Sequence, residues 1–189
     1  MDVHIKNSIK FSLTIAVITF VLAAIFSIVS SSILSNVIWI IGLFVVLGIV
    51  LIGIVFDMLG IAATAANETP FHAMASEKVP GAKSAIRIVR NADKFASFCN
   101  DVIGDISGIV SGTASGIVVI QIANLLGHQD GSTVYIVISV VLTSFVAALT
   151  VGGKAIGKYF AIRQSTYIIF RVAKIIDFFE KRLKLKIFP

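Results

Sequence analysis

The longest uncharged stretch of the sequence runs from Phe11 to Phe56, 46 residues without an Asp, Glu, Lys, Arg or His. A helix needs about 20 apolar residues to cross the roughly 30 Å hydrocarbon core of a bilayer. The stretch is therefore long enough for two crossings. A hydrophobic fraction of 57% and a mean hydropathy of +1.00 are too high for an ordinary soluble domain of 189 residues. We expect a protein that is embedded in a membrane.

Four membrane spans are predicted from the apolar stretches and from the breaks between them. Small hydroxyl and amide side chains at 30–36 favour turns or caps, so the first break falls there. Two later stretches, 106–127 and 131–153, contain no charged residue and are separated by a short polar turn at 128–130. The chain is predicted to be one all-α domain, 1–189, a polytopic membrane helical bundle with spans at 11–30, 36–60, 101–127 and 131–153.

Basic residues predict how these spans are oriented. They precede the first span, lie between the second and third, and follow the fourth, whereas the other two loops have none. Since basic loops stay in the cytoplasm, both termini are predicted to be inside, in a multi-pass protein of the inner or plasma membrane. We prefer a retained first helix over a cleaved secretory signal, because its apolar run is long and no clear A-x-A site follows it.

The formal charge of +6 does not indicate nucleic acid as a partner, because the basic residues concentrate beside the spans, where lipid phosphates are the expected partners. A helical segment is predicted at 67–97 and a basic amphipathic helix along the membrane at 158–186. Within the first of these, basic residues recur at spacings of four, three and four, which places them on one helical stripe. We interpret this stripe as lipid-facing or solvated rather than as a specific anion site; it comprises Lys83, Arg87, Arg90 and Lys94.

Small residues recur through the third predicted span. A glycine stands at every fourth position, at Gly104, Gly108, Gly112 and Gly116. Such a face lets another helix backbone approach closely, which increases dispersion contacts where lipid offers no hydrophobic drive for association. Helix packing is predicted on this face, either within the chain or with a second copy.

Charged residues at the ends of spans need water, a partner or an ion. Asp57 closes the second span, Asp101 and Asp105 open the third, and Lys154 closes the fourth, all near the same predicted membrane boundary. Together with the amide of Asn100, these carboxylates offer the oxygen ligands that a hard divalent cation such as magnesium prefers. The predicted metal ligands are Asp57, Asn100, Asp101 and Asp105. The alternative is a structural ion pair in which Lys154 neutralises one aspartate.

No motif in the sequence indicates an enzyme. H-E-x-x-H, G-x-S-x-G and a phosphate-binding Walker loop are all missing. Gly104-Asp105 with a second aspartate is similar to the G-x-G-D pattern of intramembrane aspartyl proteases, but Val102 stands where that class has its first glycine. A single cysteine, Cys99, excludes an intramolecular disulfide and a cysteine metal cluster.

Four motifs follow one another between Gly48 and Glu180. They are FDMLGIA at 56–62, GAKSAIRI with NADKF at 81–95, GD at 104–105 and GKAIGK at 153–158. In order and spacing they resemble the membrane domain of the CorB/CorC and cyclin M magnesium transporters. The resemblance implies a homodimer, a juxtamembrane helical belt and a magnesium site open to the cytoplasm. No nucleotide is expected, because the cytosolic domains of that family are not represented in the sequence.

Departures from the family pattern fall on the residues of the ion site. Asp57 stands where the family has serine, Gly60 where it has a carboxylate or amide, and Lys154 where it has glutamate. An ammonium only donates hydrogen bonds and cannot ligate a cation. Two hypotheses follow, and intramembrane aspartyl proteolysis through Asp105 is kept as a third. Either the chain binds and transports magnesium, or it is a non-transporting membrane scaffold or regulator in which Lys154 replaces the ion.

Overall fold

A computed structural model describes residues 2–127 and 131–183. Within these ranges the chain is all-helical and has no strand, which confirms the all-α class. The predicted turn at 128–130 and the last three residues of the helix predicted at 158–186 lie outside the described residues. The helices are α1 (Asp2–Leu34), α2 (Trp39–Ala65), α3 (Thr69–Ser76), α4 (Ala82–Arg90), α5 (Ala92–Ser97), a π-helix (Phe98–Gly104), α6 (Asp105–Leu125), α7 (Thr133–Arg163) and α8 (Ser165–Leu183).

Four helical stretches are long and apolar enough to cross a membrane: Ile9–Leu34, Trp39–Ala65, Ala92–Leu125 and Thr133–Arg163. This confirms the prediction of a membrane protein with four such helices. They run beyond most of the predicted span ends, because a helix continues past the hydrocarbon core into the headgroup region. The 31 residues of α7 are about 46 Å long, against a core of about 30 Å. The orientation and the identity of the membrane stay predictions.

The chain divides into two compact units. The first comprises Met1–Ile54 and Asp101–Gly153. Here α1 packs along α6, with Val102, Ile106 and Val110 buried against apolar side chains of α1. A second cluster in the same unit consists of buried apolar residues from α1, α2, α6 and α7, namely Leu34, Val46, Val50, Ala114, Val118 and Val146.

The break between α1 and α2 is stabilised by a side chain from α6. The last carbonyls of a helix have no partner within that helix. Gln121 satisfies two carbonyls at this break, because its Nε2 donates to the Leu34 oxygen at 2.9 Å and to the Val37 oxygen at 3.0 Å. The small polar residues at 30–36 predicted the break, but they did not indicate this partner.

The second unit comprises Val55–Asn100 and Lys154–Pro189. In this unit α4 packs against both α3 and α8. Its core contains three large side chains that are 0% exposed, Phe71, Ile88 and Ile169, surrounded by buried alanines. The segment predicted at 67–97 is broken into three short helices, because Gly81 has a left-handed φ of +90° and Asn91 a non-helical φ of −113°. The predicted basic stripe therefore does not lie on one continuous helix.

Candidate functional site

Asp57 and Lys154 form an ion pair in the second unit. Asp57 lies on α2, eight residues before the helix ends, and Lys154 lies on α7, nine residues before its end. The distance from Lys154 Nζ to Asp57 Oδ1 is 3.4 Å, and the two side chains are only 29% and 17% exposed. The sequence left the partner of Lys154 open among the aspartates at the span ends. The structure places it beside Asp57.

The side chain of Asn100 lies against α2 one turn beyond Asp57. Asn100 belongs to the π-helix, and its amide occupies the space where a side chain at position 60 would stand. A Cβ on Gly60 would overlap with Asn100 Oδ1, so only glycine admits the amide in this position. Asn100 Oδ1 is buried and accepts no hydrogen bond from any described residue. Two other buried side-chain oxygens in the described residues, Ser30 Oγ and Gln121 Oε1, also have no partner. Such atoms are uncommon in folded proteins.

The ion pair at Asp57 and the Asn100 amide at Gly60 are two polar features of α2, one turn apart, and together they supply a carboxylate, an ammonium and a buried amide oxygen. Magnesium needs near-octahedral oxygen coordination, and the Lys154 ammonium offers no lone pair. As placed, the ammonium supplies the positive charge beside Asp57. The amide oxygen of Asn100 is a suitable ligand for a cation or acceptor for a donor, whereas Lys154 is the group that does not fit a metal site.

Asp101 and Asp105, the other predicted carboxylate ligands, belong to the first unit, and both are exposed. Asp101 lies in the π-helix and Asp105 is the first residue of α6. Over residues 2–127 and 131–183, three or more His, Cys, Asp or Glu side chains do not come together as a metal site. Magnesium ligation by the four predicted residues therefore stays a prediction.

Two of the four basic residues predicted to face lipid are in ion pairs of the second unit. Arg87 Nη2 donates to Glu180 Oε2 at 2.6 Å and to Ser84 Oγ at 3.0 Å. Arg90 Nε donates to Glu68 Oε1 at 2.6 Å. The other two, Lys83 and Lys94, are exposed. Contact of these residues with lipid stays a prediction.

Glu68 links the start of α3 to the end of α4. His72 Nε2 donates to Glu68 Oε1 at 2.7 Å, alongside the bond from Arg90. These hydrogen bonds, that of His72 first, hold the pKa of the Glu68 carboxyl below its ordinary value, against a smaller opposing effect of desolvation. Glu68 therefore stays ionised at neutral pH and keeps its ion pair with Arg90.

The glycine face of α6, defined by Gly108, Gly112 and Gly116, is open. Apart from the adjoining backbone and the two chain neighbours of each glycine, no described atom lies within 4 Å of the position that a Cβ would take on any of the three. Gly104 is buried at the end of the π-helix. The neighbouring serines are buried instead, and donate to carbonyls of their own helix, as Ser115 Oγ does to the Ser111 oxygen at 2.7 Å.

Sequence reasoning missed the role of Gly60. It counted this residue only as a departure from the family pattern, and it placed Asn100 among the ligands without a contact. A glycine one turn after a charged residue on a membrane helix is a usable signal, since it marks a place where another group can approach the backbone. The chain matches no protein-family model, no curated protein and no solved structure.

Proposed function

We propose that this chain is a non-transporting membrane scaffold or regulator, in which the Lys154 ammonium stands in the place of a bound cation. The observation that supports this proposal is the 3.4 Å distance between Lys154 Nζ and Asp57 Oδ1. Both side chains are largely buried, 29% and 17% exposed, and a buried charge without a partner costs on the order of a few kcal/mol. A covalently held ammonium neutralises the carboxylate permanently, so the site does not require a dissolved ion.

The resemblance to the magnesium transporters supports the same proposal. Compared with the family, Asp57 replaces a serine and Lys154 replaces a glutamate. Relative to the family pattern, the acidic group is on the other helix and a cation is part of the chain. Asn100 lies against Gly60, where the family has a carboxylate or amide, so a side-chain oxygen is supplied there from another helix. In this interpretation the three departures compensate one another in charge and in side-chain oxygen atoms.

A double-mutant cycle tests the ion pair. Lys154→Met and Asp57→Asn are each expected to lower the free energy of unfolding by about 1 to 3 kcal/mol, since each leaves a partly buried charge unpaired. The double variant is expected to lose less than the sum of the two. Thermal and denaturant unfolding in detergent measure these values. Lys158→Met, which changes an exposed lysine one turn later on α7, serves as the control and is expected to change stability by less than about 0.5 kcal/mol. Strictly additive losses contradict the pair.

Magnesium transport is the second candidate, and one observation favours it. Asn100 Oδ1 is buried without a donor among the described residues, and such an oxygen is a ligand for a hard cation. If the long Lys154 side chain turns to the headgroups, the oxygens of Asp57 and Asn100 become available to ligate a metal ion. Isothermal titration with magnesium at millimolar concentration separates the two candidates. Binding that Asp57→Asn abolishes favours the transporter and contradicts the scaffold proposal; no binding in the wild type and in the Asp57, Asp101, Asp105 triple Asn variant contradicts the transporter.

We also propose that two copies associate through the glycine face of α6. The support is that this face is open in the described chain and has the small-xxx-small spacing that favours close helix contacts. Gly112→Leu is expected to weaken the dimer about tenfold or more, equal to ~1.4 kcal/mol. Gly48→Leu is the matched control, because Gly48 is also an exposed, open helix glycine but has Phe44 and Ile52 four residues away. Energy transfer between labelled copies in liposomes measures association, and equal effects of the two variants contradict the proposal.

A further inference from the structure

Helix α8 has two chemically different faces. Small and aliphatic residues spaced by four, Ser165, Ile169 and Ala173, are buried on the side where α8 packs against α4. At 100° per residue, the opposite side carries basic and aromatic residues, all of them exposed or partly exposed. We name this side the aromatic-basic face; its exposed members are Tyr167, Arg171, Phe178 and Arg182.

Aromatic rings and cations alternate along this face in a regular pattern. The Arg171 guanidinium lies 5.0 Å from the centre of the Tyr167 ring, and the Arg182 guanidinium lies 5.8 Å from that of Phe178. Phe170 with Lys174, and Tyr159 with Arg163 at the end of α7, repeat the pairing at 4.4 Å and 5.2 Å. In each pair the aromatic residue precedes the cation by one helical turn. Within 6 Å of a ring face, the ring quadrupole attracts the cation.

The rings on this face are more than half exposed. Tyr167 is 55% and Phe178 is 56% exposed, and Ile175 beside them is 57% exposed. Apolar surface of this size is unfavourable in water, and a row of guanidinium groups is unfavourable in hydrocarbon. A surface with both therefore suits the boundary between the two, where an aromatic ring reaches the acyl chains and a cation reaches the phosphates.

Chain connectivity places α8 at such a boundary. The uncharged part of α7 up to Gly153 has 21 residues from Thr133, about 32 Å, which is enough to fill the hydrocarbon core. The last ten residues of α7, which start with Lys154, consequently reach the headgroups, and α8 begins only two residues after α7 ends. An acidic residue of α8, Glu180, accepts from Arg87 of α4 at 2.6 Å, so its charge is directed away from the aromatic-basic face.

We propose that the aromatic-basic face of α8 binds the anionic headgroups of the bilayer that surrounds the spans. The guanidinium groups pair with lipid phosphates, and the rings of Tyr167 and Phe178 lie beside the uppermost acyl-chain carbons, next to the headgroups. The charge complementarity selects anionic over zwitterionic lipid. The binding does not depend on the pair of Asp57 and Lys154, so it holds for either candidate function.

A fluorescent reporter on the face tests this proposal in the full chain. Trp39 is the single tryptophan, so Trp39→Phe with Phe178→Trp gives one indole, located on α8. The protein is reconstituted in bilayers that contain equal fractions of brominated phosphatidylglycerol or brominated phosphatidylcholine. Quenching by the anionic lipid is expected to be about twofold stronger, and the difference is expected to disappear in 1 M salt, where the Debye length is ~3 Å.

Two double variants in this background distinguish lipid binding by α8 from a general effect of the protein's net charge. Each of them removes two positive charges. Arg171→Gln with Arg182→Gln is expected to abolish the preference for the anionic lipid. Lys83→Gln with Lys94→Gln, which changes two exposed lysines outside α8, is expected to leave it intact. Equal quenching by both lipids, or equal losses in both variants, overturns the proposal. If the α8 variant does not fold, the salt titration of the reporter protein with both arginines intact decides, because a lipid preference that survives 1 M salt also overturns the proposal.

Discussion

Replacing Phe71 by alanine is expected to lower the free energy of unfolding by about 3 to 5 kcal/mol. Phe71 is 0% exposed and is the largest fully buried side chain in the described chain. Most of the buried residues that share its cluster are alanines, among them Ala62, Ala85 and Ala173. An alanine side chain cannot rotate into a cavity, so the space left by the ring stays empty. The loss in the free energy of unfolding is therefore expected at the upper end of this range.

Denaturant unfolding of the purified protein measures this loss, and hydrogen exchange of α3 and α4 locates it. Phe71→Leu is expected to recover more than half of the lost stability, because it restores most of the apolar volume. Phe44→Ala is the control, since Phe44 is 70% exposed on α2. If Phe71→Ala costs no more than Phe44→Ala, the cluster around Phe71 is not the core of the second unit.

Gly81→Ala is expected to cost about 2 to 4 kcal/mol for two separate reasons. Gly81 has a φ of +90°, a conformation in which a Cβ is strained. The added Cβ would also lie 2.9 Å from Lys174 Cγ and 3.1 Å from both the Cα and the backbone nitrogen of Lys174. Backbone atoms of a packed helix cannot turn aside, so α8 must shift away from α4.

A second glycine separates these two reasons. Gly127 has a φ of +73°, but no described atom lies within 4 Å of the position of its Cβ. Gly127→Ala therefore carries only the conformational cost, about 1 to 2 kcal/mol. The difference between the two variants in thermal unfolding measures how closely α8 approaches Gly81. Equal losses contradict the close approach. A larger loss for Gly81→Ala, together with faster hydrogen exchange in α8, supports it.

The four membrane helices could be predicted because their signal is local. A run of 46 uncharged residues has no stable place in water, whatever its neighbours are. The break near 30–36 was predictable for the same reason, since side chains there form bonds within the turn, such as that from Asn36 Nδ2 to the Ser32 oxygen at 2.8 Å. The ends of the helices were predicted less accurately, because polar residues at the end of a span continue a helix as readily as they stop it.

The contacts of the candidate site could be predicted only in part. The sequence placed Asp57 and Lys154 at span ends and Asn100 nearby, and it included the ion pair as one of two alternatives. It contained no information on which aspartate lies 3.4 Å from the ammonium. The amide of Asn100 reaches Gly60 from a π-helix, and no spacing rule for regular helices predicts that direction.

By itself, the sequence determined the fold class, the number of helices long and apolar enough to cross a membrane, and the candidate polar residues, because hydrophobic length and charge depend only on residues that are close in the chain. The tertiary structure decided which of these residues meet. Asp57 and Lys154 are 97 residues apart, and Gly81 and Lys174 are 93 apart. Contacts of this kind depend on how whole helices pack, and packing is determined by the shapes of many side chains together rather than by any one pattern.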